Sequence, residues 1–310
     1  MTVFLLILAA VLLLLVVSGG YTFMVACLRI QELPWLDEVA LKKTPYGRFY
    51  DHIVAGNDWL VQHSAQEVNT RSEDGLELWG LWVPAENPKG TVLLAHGYRS
   101  SFLPDFGLVF DFYHKQGMNL LLPNQRSHGK SQGKYITYGV KESRDMLCWI
   151  DFHNRTFGEY PMILSGLSMG ASTVMYMADE ALPENVRGLI VDCGFTSPKE
   201  IISKVFRETV HLPPGPSVWV ADLFARALAG FSLSEKDARK TLQKNKLPIL
   251  MVHGTKDDFV PCDMTREAYA HCAGPKQLLL VEGADHGVSF LHAREEYTKA
   301  VKKLLNQCIG

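Results

Sequence analysis

An α/β architecture, a mostly parallel eight-stranded sheet with helices on both faces, is predicted by three features of the sequence. Short apolar runs recur along the chain, stretches long enough for crossover helices separate them, and only the first pair of runs reads as a hairpin. Residues 67–71 lead across the Glu73-Asp74-Gly75 turn into 76–83, whose partial alternation suits an antiparallel strand. Residues 91–95, 119–122, 162–164, 188–191, 249–252 and 277–281 are instead continuous rather than alternating, as strands covered on both faces are. Crossover helices are expected over 140–152, 171–180 and 264–272.

Composition narrows the function. The 310 residues carry 31 Lys+Arg against 33 Asp+Glu, without the basic excess of a nucleic-acid binder. With 47% apolar and 21% charged residues the chain is globular rather than disordered. Its six cysteines (Cys27, Cys148, Cys193, Cys262, Cys272, Cys308) show no paired spacing, so neither a zinc site nor a disulfide framework is expected.

Residues 1–28 read as a transmembrane anchor. Val3 to Val17 is unbroken apolar sequence, and no charge appears before Arg29. About 26 helical residues reach roughly 39 Å, enough to cross a hydrocarbon core of about 30 Å with some tilt. A cleaved signal would need basic residues before the run, which are missing, and Met24-Val25-Ala26-Cys27 matches a lipoprotein cleavage site poorly. Arg29, Lys42, Lys43 and Arg48 all follow the run, so the positive-inside bias predicts that the domain lies on the cytoplasmic side. Unpaired thiols agree with a reducing compartment. Residues 29–65 form a juxtamembrane segment with Pro34 and Pro45-Tyr46-Gly47 as breakers, and 66–310 form the folded domain.

One gap in the rhythm, about 199–246, is far longer than a crossover needs. After His211-Leu212-Pro213-Pro214-Gly215-Pro216 it holds a helical pattern over 217–229, with Trp219, Leu223, Ala227 and Phe231 four residues apart. Two readings stand: a lid over an apolar site, or a helix docked on the sheet or the bilayer surface.

The chemistry gathers at strand ends. Gly166-Leu167-Ser168-Met169-Gly170 follows one strand and opens a helix, the strand–turn–helix setting of a nucleophile elbow. A serine hydroxyl needs a base, and the chain order for this setting is serine, acid, histidine. Asp257 stands after the run 249–252 and His286 after 277–281. His286 would take the Ser168 proton, and Asp257, rather than its neighbour Asp258, would orient the imidazole. Backbone amides of Met169 and Tyr98 are the expected oxyanion donors, with Gly97 letting the loop turn and His96 bracing it. His128 is expected to order its loop, His253 to sit in a turn, and Asp145 to be solvated or structural.

Leu94-Ala95-His96-Gly97, Arg126-Ser127-His128-Gly129-Lys130-Ser131, Gly166-Leu167-Ser168-Met169-Gly170, His253-Gly254 with Asp257 and Val260-Pro261, and His286-Gly287 together resemble the α/β-hydrolase superfamily. The resemblance is nearest to bacterial membrane-anchored serine hydrolases of the Bem46-like and serine-aminopeptidase-like branches, and it covers about 65–307. It implies a Ser168–His286–Asp257 triad, the 199–246 insertion as cap, no metal and no organic cofactor. The substrate expected is a small acyl compound, an ester or thioester and lipophilic beside a membrane. Peptide cleavage and a catalytically silent membrane scaffold are the alternatives.

Overall fold

A computed structural model describes residues 1–309 and contains the expected sheet. Its strands are β1 (Gln66–Arg71), β2 (Glu77–Val83), β3 (Gly90–Ala95), β4 (Met118–Pro123), β5 (Met162–Leu167), β6 (Val186–Asp192), β7 (Ile249–Gly254) and β8 (Lys276–Val281). They lie in the order β1-β2-β4-β3-β5-β6-β7-β8. β2 is antiparallel to both β1 and β4, and every other pairing is parallel.

The helices are α1 (Thr2–Cys27), α2 (Glu38–Leu41), α3 (Tyr50–Gln62), α4 (Phe102–Phe106), α5 (Phe110–Lys115), α6 (Val140–Phe157), α7 (Met169–Tyr176), α8 (Pro198–Val210), α9 (Gly215–Phe224), α10 (Ala238–Thr241), α11 (Cys262–His271), α12 (Ser289–His292) and α13 (Arg294–Ile309). Continuous apolar strands supply both faces of the sheet at once, because successive side chains point to opposite sides. Val92, Leu94, Leu120, Leu122, Ile163, Ile190 and Leu250 pack with Phe110 and Tyr113 of α5 and Val301 and Leu304 of α13. Their neighbours Leu93, Leu121, Leu164, Leu189 and Met251 pack with Met146 and Trp149 of α6 and Val174 and Tyr176 of α7.

The juxtamembrane segment is more ordered than its breakers imply. Pro45 opens a 3₁₀ turn, Pro45–Phe49, that feeds directly into α3. A proline at the first helical position loses no hydrogen bond, so there it starts a helix instead of ending one. Thr44 Oγ1 caps the turn by accepting the Tyr46 amide at 3.2 Å. The helical pattern over 217–229 is divided: α9 ends at Phe224, and a wide turn, Ala225–Ala229, follows and closes on Gly230 at φ +65°.

α1 is long and apolar enough to cross a membrane, and its first two-thirds stand clear of the domain. Its last turns do not. Gly19, Thr22, Phe23 and Cys27 are buried, and the chain leaves α1 through an antiparallel bridge between Leu28 and Tyr135. The carbonyls that a helix C-terminus leaves unpaired find donors in the domain. Tyr98 Oη donates to Ala26 O at 2.7 Å, and Arg99 Nη2 donates to Val25 O at 2.8 Å and Leu28 O at 3.0 Å. A guanidinium at this end also suits the helix dipole.

Candidate active site

The turn after β5 is built for close approach. A Cβ at Gly166 would collide with the Gly170 carbonyl, and one at Gly170 with the Ala95 carbonyl, so strand and helix can meet only as glycines. Between them Ser168 takes φ +55° and ψ −116°, a strained conformation for a residue with a side chain. Its amide donates to Asp192 O at 2.8 Å, tying the turn to β6.

Ser168, Asp257 and His286 converge. His286 Nε2 lies 3.0 Å from Ser168 Oγ, and His286 Nδ1 lies 2.7 Å from Asp257 Oδ2. The carboxylate acceptor fixes the proton on Nδ1 and leaves Nε2 free to accept from the serine. Asp257 is buried and also accepts the amides of Phe259 at 3.0 Å and Val260 at 2.8 Å through Oδ1. Asp258 is exposed instead. Burial alone would raise the Asp257 carboxyl, but hydrogen bonds from His253 and His286 hold it well below the usual carboxylate range.

His253 differs from its expected place in a turn. It sits buried near the end of β7, with Nε2 3.0 Å from Asp257 Oδ2 and 2.9 Å from Val260 O. Both are acceptors, so Nε2 carries the proton, and Nδ1 accepts from Thr265 Oγ1 at 2.6 Å. A second imidazole therefore holds the carboxylate from behind. Of the two readings of Asp145 the structural one holds: it is buried against Arg126, whose Nε and Nη2 each donate to it at 2.6 Å.

Tyr98 and Met169 flank Ser168, and among the described residues neither amide donates to an internal acceptor. The Gly97 amide is taken, donating to Asp105 Oδ2 at 2.6 Å, while Ser100 Oγ donates to Asp105 Oδ1 at 2.6 Å. Burial pushes the Asp105 carboxyl up to about 6 despite these bonds. His96 Nε2 accepts the Gln125 amide at 3.0 Å, and His128 Nε2 accepts the Arg99 amide at 2.9 Å. Burial drives their pKa values down to about 4 and about 3, so both brace loops as neutral rings. Asp105 and the His253 contact escape sequence reasoning because no local pattern marks a buried polar partner.

Cys193 Sγ lies with Asp257 and His286 ligand atoms within 4.8 Å of one another. Burial pushes that thiol well above its usual range, away from the thiolate a metal requires. Both His286 nitrogens are already engaged by Ser168 and Asp257.

A cavity of about 670 Å³ opens over Ser168 and His286. Its roof is the juxtamembrane segment, including Arg29, Leu33, Arg48 and Phe49, and its lining takes no residue from 199–246. The insertion expected to act as a cap lies elsewhere, its helix α9 packed along α1. Asp258 and Asp285 stand at the cavity with Arg48, whose Nη2 is 4.0 Å from Asp285 Oδ2. Asp285 Oδ1 also accepts the His286 amide at 2.7 Å.

The sheet order, the tight serine turn and the crossover helices define an α/β-hydrolase, an enzyme type of the hydrolase class. Comparison with known proteins agrees. The model of the serine aminopeptidase S33 family matches residues 86–233. YqkD of Bacillus subtilis is 28% identical over 75% of this chain and 76% of its own. Bem46 of Schizosaccharomyces pombe is 24% identical over 73% of this chain and 71% of its own. The Pyrococcus furiosus esterase Pf2001 superposes with a TM-score of 0.67 over 81% of this chain and 94% of its own, at 22% identity. The chain is thus similar to the Bem46-like α/β-hydrolases.

Proposed function

We propose that the protein is a membrane-tethered serine hydrolase that cleaves carboxylic esters or thioesters by acyl transfer, with its catalytic domain on the cytoplasmic side. The observation that carries this reading is the relay of 3.0 Å from Ser168 Oγ to His286 Nε2 and 2.7 Å from His286 Nδ1 to Asp257 Oδ2. In it, Ser168 Oγ attacks the acyl carbon as its proton passes to His286 Nε2. The amides of Met169 and Tyr98 receive the tetrahedral oxyanion, a contribution typically of about 10²–10³ in turnover per donor. His286 then protonates the departing alkoxide or thiolate. Water, deprotonated by the same nitrogen, releases the acid and restores Ser168.

The mostly apolar roof over Ser168, with Leu33, Phe49 and Leu291 around the opening, supports lipophilic acyl substrates. A second reading, peptide cleavage, is favoured by Asp258 and Asp285 at the cavity, carboxylates able to hold a substrate ammonium. Labelling by a fluorophosphonate probe tests the nucleophile: the wild type is expected to label and Ser168→Ala to stay dark. Label that survives in Ser168→Ala, or none in the wild type, refutes the mechanism. A panel of acyl esters of increasing chain length and aminoacyl amides then decides the substrate class, and turnover confined to the amides would replace the ester reading.

A further inference from the structure

We propose that α9 and the loop before it enter the bilayer alongside α1, making a second membrane-embedded element of the fold. The inference rests on α1 spanning the membrane, and the experiment below separates the two.

Depth is fixed by geometry. A hydrocarbon core takes about 20 helical residues, and any run of about that length within Thr2–Cys27 includes residues 8–21. Ser18, Gly19 and Gly20 therefore lie among the acyl chains in every placement, and they are the residues that α9 packs against. Ser18 Oγ is 2.8 Å from Ser217 Oγ. A Cβ on Gly19 would strike the Val220 side chain, and one on Gly20 would sit 3.4 Å from the Phe224 ring. Phe23 and Phe224 stack with ring centroids 6.2 Å apart. A helix fixed to that flank of α1 shares its depth.

The chemistry of α9 fits that depth. Its one charged residue, Asp222, is engaged by Arg226 Nε at 2.8 Å, Ser232 Oγ at 2.9 Å and the Leu233 amide at 2.6 Å. Leu212, Trp219, Leu223 and Leu228 meanwhile point away from the protein with exposures of 60, 63, 45 and 55%. An outward apolar face continuous with a spanning helix takes lipid as its occupant. The cavity roof begins at Arg29, directly after α1, so this arrangement presses the active-site opening against the membrane surface.

Among the described residues Trp219 is the one exposed tryptophan, which makes it a native probe. The full chain would be reconstituted into phosphatidylcholine–phosphatidylglycerol vesicles whose acyl chains carry bromine, a contact quencher of indole emission. The wild type is expected to be quenched, with about half of that quenching lost in Trp219→Phe, as for a side chain that shares the depth of Ser18 and Gly19. Leu12→Trp, placed in the Trp219→Phe background, reports α1 alone. If Leu12→Trp is quenched while wild type and Trp219→Phe respond alike, α1 spans and the inference about α9 is wrong. If Leu12→Trp is not quenched, the anchor reading fails and takes this inference with it. Equal responses accompanied by cross-linked dimers would assign the α9 face to a second copy of the chain, which also overturns the proposal.

Discussion

Residues 29–62 and 198–246 are the two additions to the sheet and its crossover helices, and they spend their apolar side chains differently. The first, interrupted by prolines, turns Leu33 and Phe49 over Ser168 and closes the cavity. The second, with the stronger helical pattern, buries Val218, Val220 and Ala221 and leaves Trp219 and Leu223 outside. Periodicity reports that a helix has a face to cover, and it is silent on what covers it. Position along the chain decides here. The N-terminal segment leaves α1 beside the strand ends that carry the site, whereas the insertion is held along α1 by Ser217 and Val220.

The contrast can be broken at several points. The largest expected effect falls on the loop joining the site to the N-terminal side. Tyr98→Pro deletes one proposed oxyanion donor and should cost about 10²–10³ in kcat, whereas Tyr98→Phe keeps the amide and loses the hydroxyl bonds to Ala26 O and Val25 O. Wild-type turnover by Tyr98→Pro, folded by circular dichroism, would remove the N-terminal side from the chemistry. Next comes selectivity. Leu33→Ala with Phe49→Ala should lower kcat/KM for long-chain esters about ten-fold and spare short ones. Leu223→Ala with Leu228→Ala should change neither when the ester is dissolved in detergent, and the opposite pattern would exchange the roles of the two regions.

Asp105 gives a smaller effect with a definite sign. Its carboxyl sits at about 6 when folded, against about 3.9 in an unfolded chain, so between those values the native state binds the proton more tightly. Its contribution to stability is then greatest in acid and declines as pH rises through that window. Asp105→Asn, which cannot ionise, should lose less stability than the wild type over the same rise in urea titrations. A steeper loss in the variant would contradict the assignment. The smallest effect is expected for Ser217→Ala, which deletes the bond to Ser18. A loss of about 1 kcal/mol should lower the thermal midpoint in detergent by about 2–4 °C.

The sheet was legible because its parallel strands are largely apolar runs and its first two an alternating hairpin, and the convergence of Ser168, Asp257 and His286 because each follows an apolar run in a turn with its own residue signature. The roof over 29–52 was not, since Pro34 and Pro45 read as breaks although Pro45 begins a helical turn. Nor were the supports of the site. His253 meets Asp257 from within β7, and Asp105 reaches the Gly97 amide from α4. Such contacts join buried polar atoms across separate elements, and no local spacing encodes them. Asp145 shows the same limit from the other side: among Lys141, Glu142 and Arg144 it reads as either solvated or structural, and only the tertiary structure, which seals it against Arg126, decides for the second.

Ser168 is held at φ +55° and ψ −116° by the sheet below and α7 behind, a posture that costs of order 1–3 kcal/mol for any residue bearing a Cβ. Glycine would rest there without complaint. On the proposed mechanism, a screen of this gene for heat endurance alone would thus favour an inert protein, and durability and turnover would pull a single codon in opposite directions.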